Sequence, residues 1–406
     1  MKKLYYPLVF LALFLLPVLS LSAWDIGLLM DQTAGLESPD NTFTYTGTLI
    51  PWYSVSFGDT GKLYISAGVT ADYQNVNGIV IPELLRTEFS YRIGNGNEIK
   101  AGRMLYSDPL GFIAHGLFDG ARFSNNSGLG TIGFGVWYTG LLYKTNAEIT
   151  ITNEDLVSYS SGFSYAKFAD SYFASRRLLA AVDWEYPDLM GLLRLKAALM
   201  GQFDLNDREN RYHSQYLVFK AGMPLKSFIF DLGFCVEAAE LSGEDSDPEF
   251  NIGFAGELGV GWRLPTPITD SLNFTARLSN GKMDDDSVIA AFVPITTMTQ
   301  GDIIKAKLSG LSMLRLDYSF RLGESFLFNL ADSYFILSDL GTYSGLPGGR
   351  DGHFLGNEFS GRLIWSPLSD LRLDLGGGVF LPSMGNAAAK EDPIWRVELN
   401  AVLIFF

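Results

Sequence analysis

The chain of 406 residues has a single cysteine, Cys235, so an intramolecular disulfide is excluded, and we expect this residue to be a small side chain within a strand. No cysteine stands at the end of the apolar run near the N-terminus, which excludes lipoprotein processing. Beyond residue 23, no apolar stretch reaches the roughly eighteen residues that a membrane-spanning helix needs. Helical membrane spans are therefore excluded for the body of the chain.

The first residues have the pattern of a secretory signal peptide. Lys2 and Lys3 precede an apolar run over residues 4–21, and small residues follow up to Ala23, where a signal peptidase would cut. An uncleaved anchor is the alternative, but two prolines interrupt the run and its length is marginal for a spanning helix. We therefore expect a cleaved segment over residues 1–23 and one domain over residues 24–406.

Apolar side chains are abundant but dispersed. They make up 47% of the chain, which also has 43 glycines, and they alternate with polar residues instead of forming long runs. In lipid every backbone N–H and C=O must be paired within the protein, so a chain without membrane helices can cross only as a closed barrel. The composition therefore predicts an all-β transmembrane barrel.

The clearest alternation lies in the last thirteen residues, which end on Phe405 and Phe406. Such a strand meets lipid on one side and water on the other. A terminal aromatic residue is typical of the closing strand of bacterial outer-membrane barrels, so residues 395–406 are expected to bind the barrel-insertion machinery. The apolar face consists of Trp395, Val397, Leu399, Ala401, Leu403 and Phe405, and the polar face of Arg396, Glu398 and Asn400.

Eighteen segments with this two-residue period can be counted, an even number as bacterial barrels require. They predict an antiparallel up-and-down β-barrel of about 18 strands, with 16 as the alternative. The segments are 24–31, 43–57, 62–74, 84–93, 97–106, 118–124, 129–140, 177–186, 191–205, 213–223, 228–239, 250–264, 271–279, 311–322, 325–337, 354–366, 371–381 and 393–406.

Connections between these segments alternate in length, which predicts short periplasmic turns and long extracellular loops. Residues 141–176 are the longest link and are predicted to narrow the channel. The apolar run 288–295 either tucks inward as a gate or extends a strand above the membrane, and extension is the favoured interpretation. Three tryptophans on apolar faces near short turns predict a periplasmic aromatic girdle. They are Trp184, Trp262 and Trp365.

Charged residues within the segments fall mainly on the face opposite the apolar one. Exposing a lysine or arginine to lipid at the midplane would cost about 2–4 kcal/mol, so this face is predicted to line a wet lumen. Arg103 and Asp332 break the pattern, and a bulge or an end-of-strand position is expected at each. The candidate pore-lining residues are Arg86, Glu88, Arg92, Lys100, Arg122, Arg194, Lys196, Lys220, Glu257, Arg263, Arg277, Arg315, Asp317, Arg321, Glu358, Arg362, Arg372, Asp374, Arg396 and Glu398.

The chain has a net charge of −15, but the predicted lumen wall carries fourteen basic and thirteen acidic residues, so the excess lies in loops and ends. A balanced wall favours an outer-membrane pore with a transverse field, which passes small polar solutes by diffusion. A saccharide channel is the sharper variant, because aromatic rings in the lumen can stack on pyranose rings. The aromatic candidates are Trp52, Tyr64, Tyr106, Trp137 and Phe380.

Two other functions share parts of this pattern. A surface adhesin or a structural barrel without an open pore fits every feature so far and remains an alternative. An outer-membrane hydrolase is less favoured, although three histidines map to the loop side. Catalysis needs a histidine beside a serine nucleophile, and Ser214 and its neighbour His213 point to opposite faces of a strand. The three histidines are His115, His213 and His353.

No cofactor, dedicated metal site or nucleic-acid partner is indicated. The acidic clusters at 244–249 and 284–286 lack the spacing of a calcium loop and are interpreted as solvated loop charge. The expected partners are outer-membrane lipid, the insertion machinery and small polar solutes, while the oligomeric state stays open.

Short glycine-rich motifs resemble a known family. Gly102 and Arg103, followed by residues 118–124 with the sequence FDGARFS, are similar to the "GR…DG-x-R" region of alginate-export-type barrels, and residues 357–359 and 378–382 are similar too. The resemblance covers about a tenth of the chain. It implies an eighteen-strand barrel that exports or admits polar solutes, which in the alginate case is an anionic polysaccharide moving through a basic channel.

Overall fold

A computed structural model of the chain describes residues 23–74, 77–208, 210–243, 248–282, 288–296, 298–339, 352–387 and 392–406. The predicted signal peptide lies outside these residues except for Ala23, and so do residues 244–247 and 284–286 of the acidic clusters. Within the described ranges, no helix has the length and hydrophobicity to cross a membrane.

Eighteen strands form one closed antiparallel sheet, in which each strand pairs with its sequence neighbours and the last pairs with the first. The predicted all-β, 18-strand up-and-down barrel is confirmed, and each predicted segment overlaps one strand. The barrel strands are β1 (Trp24–Glu37), β2 (Thr42–Phe57), β3 (Gly61–Gln74), β4 (Asn77–Ile93), β5 (Asn97–Ser107), β6 (His115–Ser127), β7 (Gly130–Tyr138), β8 (Arg177–Leu189), β9 (Leu193–Asp204), β10 (Arg211–Leu225), β11 (Phe228–Ser242), β12 (Glu249–Arg263), β13 (Thr269–Ser279), β16 (Leu311–Leu322), β17 (Phe326–Leu337), β18 (Phe354–Leu368), β19 (Leu371–Leu381) and β20 (Ile394–Phe405).

The remaining elements lie in the connections at one end of the barrel. A small hairpin, β14 (Thr299–Gln300) and β15 (Ala306–Lys307), belongs to the 280–310 loop. Three short helices, α1 (Lys144–Ala147), α2 (Asn153–Ser160) and α3 (Phe168–Tyr172), belong to the 139–176 loop. At the other end the strands are joined by tight turns, where glycines such as Gly58 and Gly94 adopt positive φ values of 60° and 59°. The barrel therefore has a loop end and a turn end.

The outward faces of the strands form an apolar belt. Leu105 and Leu330 are 60% and 57% exposed there, and many aliphatic and aromatic side chains share this surface. At the turn end, Trp262 and Trp365 stack on phenylalanines of neighbouring strands, with ring centroids 5.7 and 5.8 Å apart. A continuous apolar exterior on a closed sheet is the surface that lipid requires.

Arg103 lies inside β5, which runs on to Ser107, but it is the last residue of β5 that pairs with β4, so the expected end-of-strand position holds on one side only. The β4–β5 ladder stops at the pair Thr87↔Arg103. The guanidinium donates two hydrogen bonds to the Asp119 carboxylate, at 2.8 and 2.7 Å, and further bonds to the carbonyls of Leu84 and Leu141. The Asp119 carboxylate thus neutralises the charge of Arg103. In turn, the guanidinium satisfies the carbonyl of Leu84, a residue of β4 that has no β5 partner within the described residues.

Asp332 is the exception, and the expected bulge or end-of-strand position is wrong. It lies in the middle of β17, directly opposite Leu316 and Phe359 in a ladder that is continuous on both sides of it. These two neighbours are 44% and 42% exposed on the apolar exterior. Within the described residues Asp332 has no ion pair, so its carboxylate faces the lipid belt.

Replacing Asp332 with leucine is therefore expected to raise the free energy of unfolding of the membrane-inserted barrel by about 1 kcal/mol, because a carboxyl group leaves the lipid face. Urea titration in lipid micelles measures this difference. Asp370→Asn, in an exposed turn, is the matched control with no expected change. A loss of stability in Asp332→Leu would contradict the lipid-facing position.

Candidate functional site in the barrel lumen

The 280–310 loop leaves the barrel wall and enters the lumen. Ile289 first pairs with Ile252 of β12 in a parallel bridge, which extends the sheet by a few residues. The chain then turns inward, and Phe292 and Ile295 are fully buried. The favoured extension of a strand therefore describes residues 288–290, whereas residues 292–295 are tucked inside.

A second loop, residues 108–114, meets the 280–310 loop within the lumen. The N–H groups of Ile295 and Thr296 donate to the carbonyl of Ile113, at 2.8 and 3.1 Å. The 108–114 loop is itself organised by Asp108, whose buried carboxylate accepts four backbone N–H groups at 2.8 to 3.0 Å. Because backbone and carboxylate groups make these contacts, the crossing is held as one ordered piece.

Apolar side chains fill the lumen beneath these two loops, against strands β5 to β12. Trp137 is 1% exposed, and Tyr106 packs on it with ring centroids 4.2 Å apart. Cys235 is buried in the same cluster, as a small residue within a strand. Phe380 is buried in a second cluster at the other side. Three of the five aromatic residues suggested for sugar stacking are therefore covered by protein.

The tip of the β14–β15 hairpin is tied to the barrel wall by Glu358 of β18, two strands along from β16. The fully buried carboxylate accepts the N–H groups of Asp302, Ile303 and Ile304 at 2.6, 3.0 and 3.1 Å. Successive N–H groups around an oxyanion form an anion-binding nest. Gly301 permits it, because its φ is +84° and a Cβ there would lie 2.9 Å from the carboxylate.

Glu237 of β11 provides the second tether. Its carboxylate accepts the N–H of Val293 at 2.7 Å and the hydroxyls of Tyr212 and Tyr216 at 2.7 and 3.2 Å. Glu237 on β11 and Glu358 on β18 stand on either side of β13 and β16, the strands that the 280–310 loop connects, so the loop is held to the wall at two places. The larger apolar cluster lies against β5 to β12, and a smaller one lies against β16 to β19.

The 139–176 loop is anchored by a buried ion network at the loop end. Arg177 is fully buried and lies 2.5 Å from Asp155 of α2 and 3.2 Å from Asp204. Asp155 also pairs with Arg208 at 2.7 Å and closes a capping box with Thr152. Burial raises the pKa of Asp155, but the Arg177 guanidinium and the hydrogen bonds outweigh it, so the pKa lies below its ordinary value.

The same loop completes the barrel wall beside β4. The residues of β4 before Thr87 pair with β3 on one side, but within the described residues they have no β5 partner on the other side. There the hydroxyl of Tyr165 donates to the carbonyl of Val80, and that of Tyr172 donates to the carbonyl of Pro82. The predicted constriction at 141–176 thus seals the wall in this region, and the lumen is narrowed mainly by the 280–310 loop.

A charged pocket, called the charged passage below, lies between the hairpin tip and strands β16 to β20. It is a cavity of about 230 Å³ whose charged lining residues are Asp302, Arg315, Arg362, Arg396 and Glu398. Arg315 bridges Asp302 at 3.0 Å, whereas the Arg362 side chain is half exposed and 3.6 Å from its nearest acid. Acids and arginines thus face one another across the passage.

Asp302 stays ionised at this position. Burial raises its pKa, but the hydrogen bond from Ser360 and the guanidinium of Arg315 outweigh that effect, so the pKa lies below its ordinary value. The negative side of the passage therefore comes partly from a loop residue. Alternation along strands did not identify it, because residue 302 lies outside every predicted segment.

Most of the predicted pore-lining residues are brought together in ion pairs. Arg92, Arg194, Arg263 and Arg321 have no ion pair within the described ranges, and all four are exposed near the turn end. Glu358 instead accepts hydrogen bonds from the backbone of the 280–310 loop. The pairs are Arg86–Glu88, Lys100–Glu88, Arg122–Asp183, Lys196–Glu185, Lys220–Glu257, Arg277–Glu257, Arg315–Asp317, Arg362–Asp374, Arg372–Asp374 and Arg396–Glu398.

Within the described residues, the rings of His213 and His353 are not hydrogen-bonded to a serine hydroxyl. The Nδ1 atom of His213 accepts the N–H of Asp204 at 3.1 Å, while the Ser214 hydroxyl contacts Gln202 and Tyr216. His353 lies against the carbonyl of Leu337 at 2.9 Å. These rings contact the backbone instead of a serine.

Comparison with known proteins identifies the fold. No family model and no curated protein matches the chain. Among solved structures, the outer-membrane protein OprD of Pseudomonas aeruginosa is 15% identical, with a TM-score of 0.59 and 94% of each chain covered. From the same organism, OpdF in complex with glucuronate is 12% identical and OpdK with vanillate 10% identical. Both have a TM-score of 0.62, with 94% of this chain and 98% of theirs covered.

At this level of identity, the comparison shows a shared barrel architecture. The neighbours therefore support the predicted barrel architecture but not the resemblance to alginate-export barrels.

Proposed function

We propose that the chain is an integral outer-membrane channel that lets small polar solutes diffuse through the charged passage beside the 280–310 loop. The observation that carries this proposal is the double tether of that loop, which leaves a bounded opening lined by acids and arginines. A fixed constriction with opposing charges orients polar solutes and excludes apolar ones. The charged wall residues named above are proposed to line the route, and no catalytic step is assigned to them.

The balance of charge favours small solutes over a long polyanion. Nearly every wall arginine in the middle of the barrel has an acid partner, so a continuous basic track for alginate is missing from the described wall. Glucuronate in OpdF and vanillate in OpdK are single-ring carboxylates. Solutes of that size fit the passage, and the half-exposed Arg362 offers one guanidinium to a carboxylate.

The membrane partners follow from the same proposal. Residues 1–23 direct export and are removed, the apolar belt contacts outer-membrane lipid, and residues 395–406 bind the insertion machinery. The C-terminal strand supports this, since β20 closes the barrel against β1 over ten residue pairs.

Liposome swelling tests the function directly. Proteoliposomes with the refolded mature chain should swell in isotonic solutions of small polar solutes, with rates that fall steeply as solute size rises. Protein-free liposomes and liposomes with heat-denatured protein are the controls. A correctly folded barrel that gives no swelling for any solute would contradict the channel and favour the adhesive or structural alternative.

The charge of Asp302 gives the passage a defined pH dependence. A carboxyl with a lowered pKa stays ionised until the pH falls below the ordinary aspartate value of about 4. The reversal potential under a KCl gradient should therefore be constant from about pH 8 to 5 and shift toward anion selectivity below about pH 4. Asp302→Asn should show the anion-shifted value at all pH values, and an unchanged reversal potential in this variant would remove Asp302 from the ion route.

A further inference from the structure

Trp52 is an aromatic residue of the lumen wall that the inner loops do not cover. In the β2–β3 ladder it lies opposite Ser66, and Ser54 lies opposite Tyr64, which puts both rings on the lumen face. Trp52 and Tyr64 are both half-buried. Trp137, by contrast, is covered by Tyr106.

Gly27 sets the orientation of the Trp52 ring. Gly27 lies opposite Trp52 in the β1–β2 ladder. A Cβ built on Gly27 would point into the lumen and lie 2.5 Å from two carbon atoms of the indole. The indole therefore lies over the backbone of β1, where Phe406 also makes an edge contact with it at a centroid distance of 6.1 Å. Gly135, two residues before Trp137 on the same strand, likewise makes room for that ring, since a Cβ there would lie 2.1 Å from it.

A second ring and an ion pair adjoin this surface. The Tyr64 ring is nearly parallel to that of Trp52, at an angle of 17° and a centroid distance of 6.0 Å. The Arg86 guanidinium lies over Tyr64 at 5.1 Å and pairs with Glu88 at 2.9 Å. The Arg86 side chain is 44% exposed. Flat aromatic carbon and hydrogen-bonding groups of both signs thus adjoin on one patch of the wall.

We propose that Trp52 and Tyr64 form a stacking subsite for a pyranose ring of a neutral sugar, with Arg86 bonding its hydroxyls. A pyranose has an apolar face of C–H groups, which suits the negative face of an aromatic ring. The oxygens of its hydroxyl rim accept hydrogen bonds, which the partly exposed Arg86 guanidinium donates while the buried Glu88 holds it in place. The subsite rests on the proposed channel, because a sugar reaches this wall only through an open lumen.

Current block by a neutral malto-oligosaccharide tests the subsite. Added on the turn-end side of a single open channel, the sugar should block the current reversibly. A ring-free polyol of similar size should block much less, since it has no ring face. Trp52→Ala should weaken the block about tenfold, the loss expected for one aromatic contact. Trp52→Phe should retain part of it.

The control variant is Trp262→Phe, on the outer surface. The sugar should block its current as strongly as that of the unmodified channel. Equal block by sugar and polyol, or equal block in Trp52→Ala and the unmodified channel, would overturn the subsite while leaving the channel intact. Block by an aromatic carboxylate but not by the sugar would also overturn it, in favour of an anion site at Arg86. A barrel that never conducts would instead contradict the proposed function.

Discussion

Replacing Glu358 with alanine is expected to raise single-channel conductance about twofold or more, because the hairpin tip of the 280–310 loop is released from the wall. The variant removes one carboxylate and leaves three backbone N–H groups without their acceptor, so the tip loses its preferred position. The barrel itself should still fold, since its strands are paired through their backbones. Planar-bilayer recording measures the change. Current traces should also become noisier as the tip moves.

Glu185→Ala is the matched control for this variant. Glu185 also stands on the lumen face, but its one ion pair is with Lys196, at 3.2 Å, and both side chains are largely exposed. Its conductance should stay near the native value. Glu358→Gln keeps one acceptor oxygen and should fall between the two. Native conductance in a correctly folded Glu358→Ala barrel would mean that the 280–310 loop does not limit flow.

Replacing Arg177 with alanine is expected to cost about 3–5 kcal/mol of stability, because Asp155 and Asp204 are left as buried, poorly compensated charges. Protease should then cut the 139–176 loop, and the heat-modifiable gel shift should occur at lower temperature. Asp155→Asn should have a similar but smaller effect, since Arg177 keeps Asp204.

Arg211→Ala provides the comparison. Arg211 forms an exposed pair with Asp207 at 3.8 Å, and exposed pairs of this kind contribute about 0–1 kcal/mol. Equal stability of Arg177→Ala and Arg211→Ala would show that the buried network does not anchor the loop. Because the lowered pKa of Asp155 means that its charge contributes stability above the ordinary aspartate pKa, the anchor should also weaken as the pH falls below that range.

The strands were predictable because lipid leaves few alternatives. A two-residue period with one apolar face survives in almost every strand, and every backbone group must be paired. The segment predicted at 84–93 stopped short of β4, which begins at Asn77. Within the described residues, the part of β4 before Thr87 has no β5 partner, and tyrosines of the 139–176 loop bind its carbonyls instead. Local alternation carries no signal for a partner so distant in the sequence. The prediction for Asp332 was wrong because it assumed an irregularity. The strand is regular at this position, so the two-residue period places Asp332 on the lipid face.

The sequence predicted which strand residues face the lumen, but not which groups they contact there. Alternation put Glu358 and Glu237 on the inner wall, yet nothing in their strands distinguishes a carboxylate that binds a loop from one that meets solvent. The loops themselves have no period, so the contribution of Asp302 to the passage was missed. The aromatic candidates also differ in exposure, which alternation does not predict. Trp52 is half-buried, whereas Trp137 is buried against Tyr106.

Single-channel recording of the refolded mature chain tests the central claim most directly. Reconstituted in a planar bilayer under a KCl gradient, the protein should give discrete open steps of uniform size, with weak selectivity set by the charged passage. A folded barrel, verified by heat-modifiable migration, that gives no conductance at any voltage would contradict the claim that the space beside the 280–310 loop is an open route.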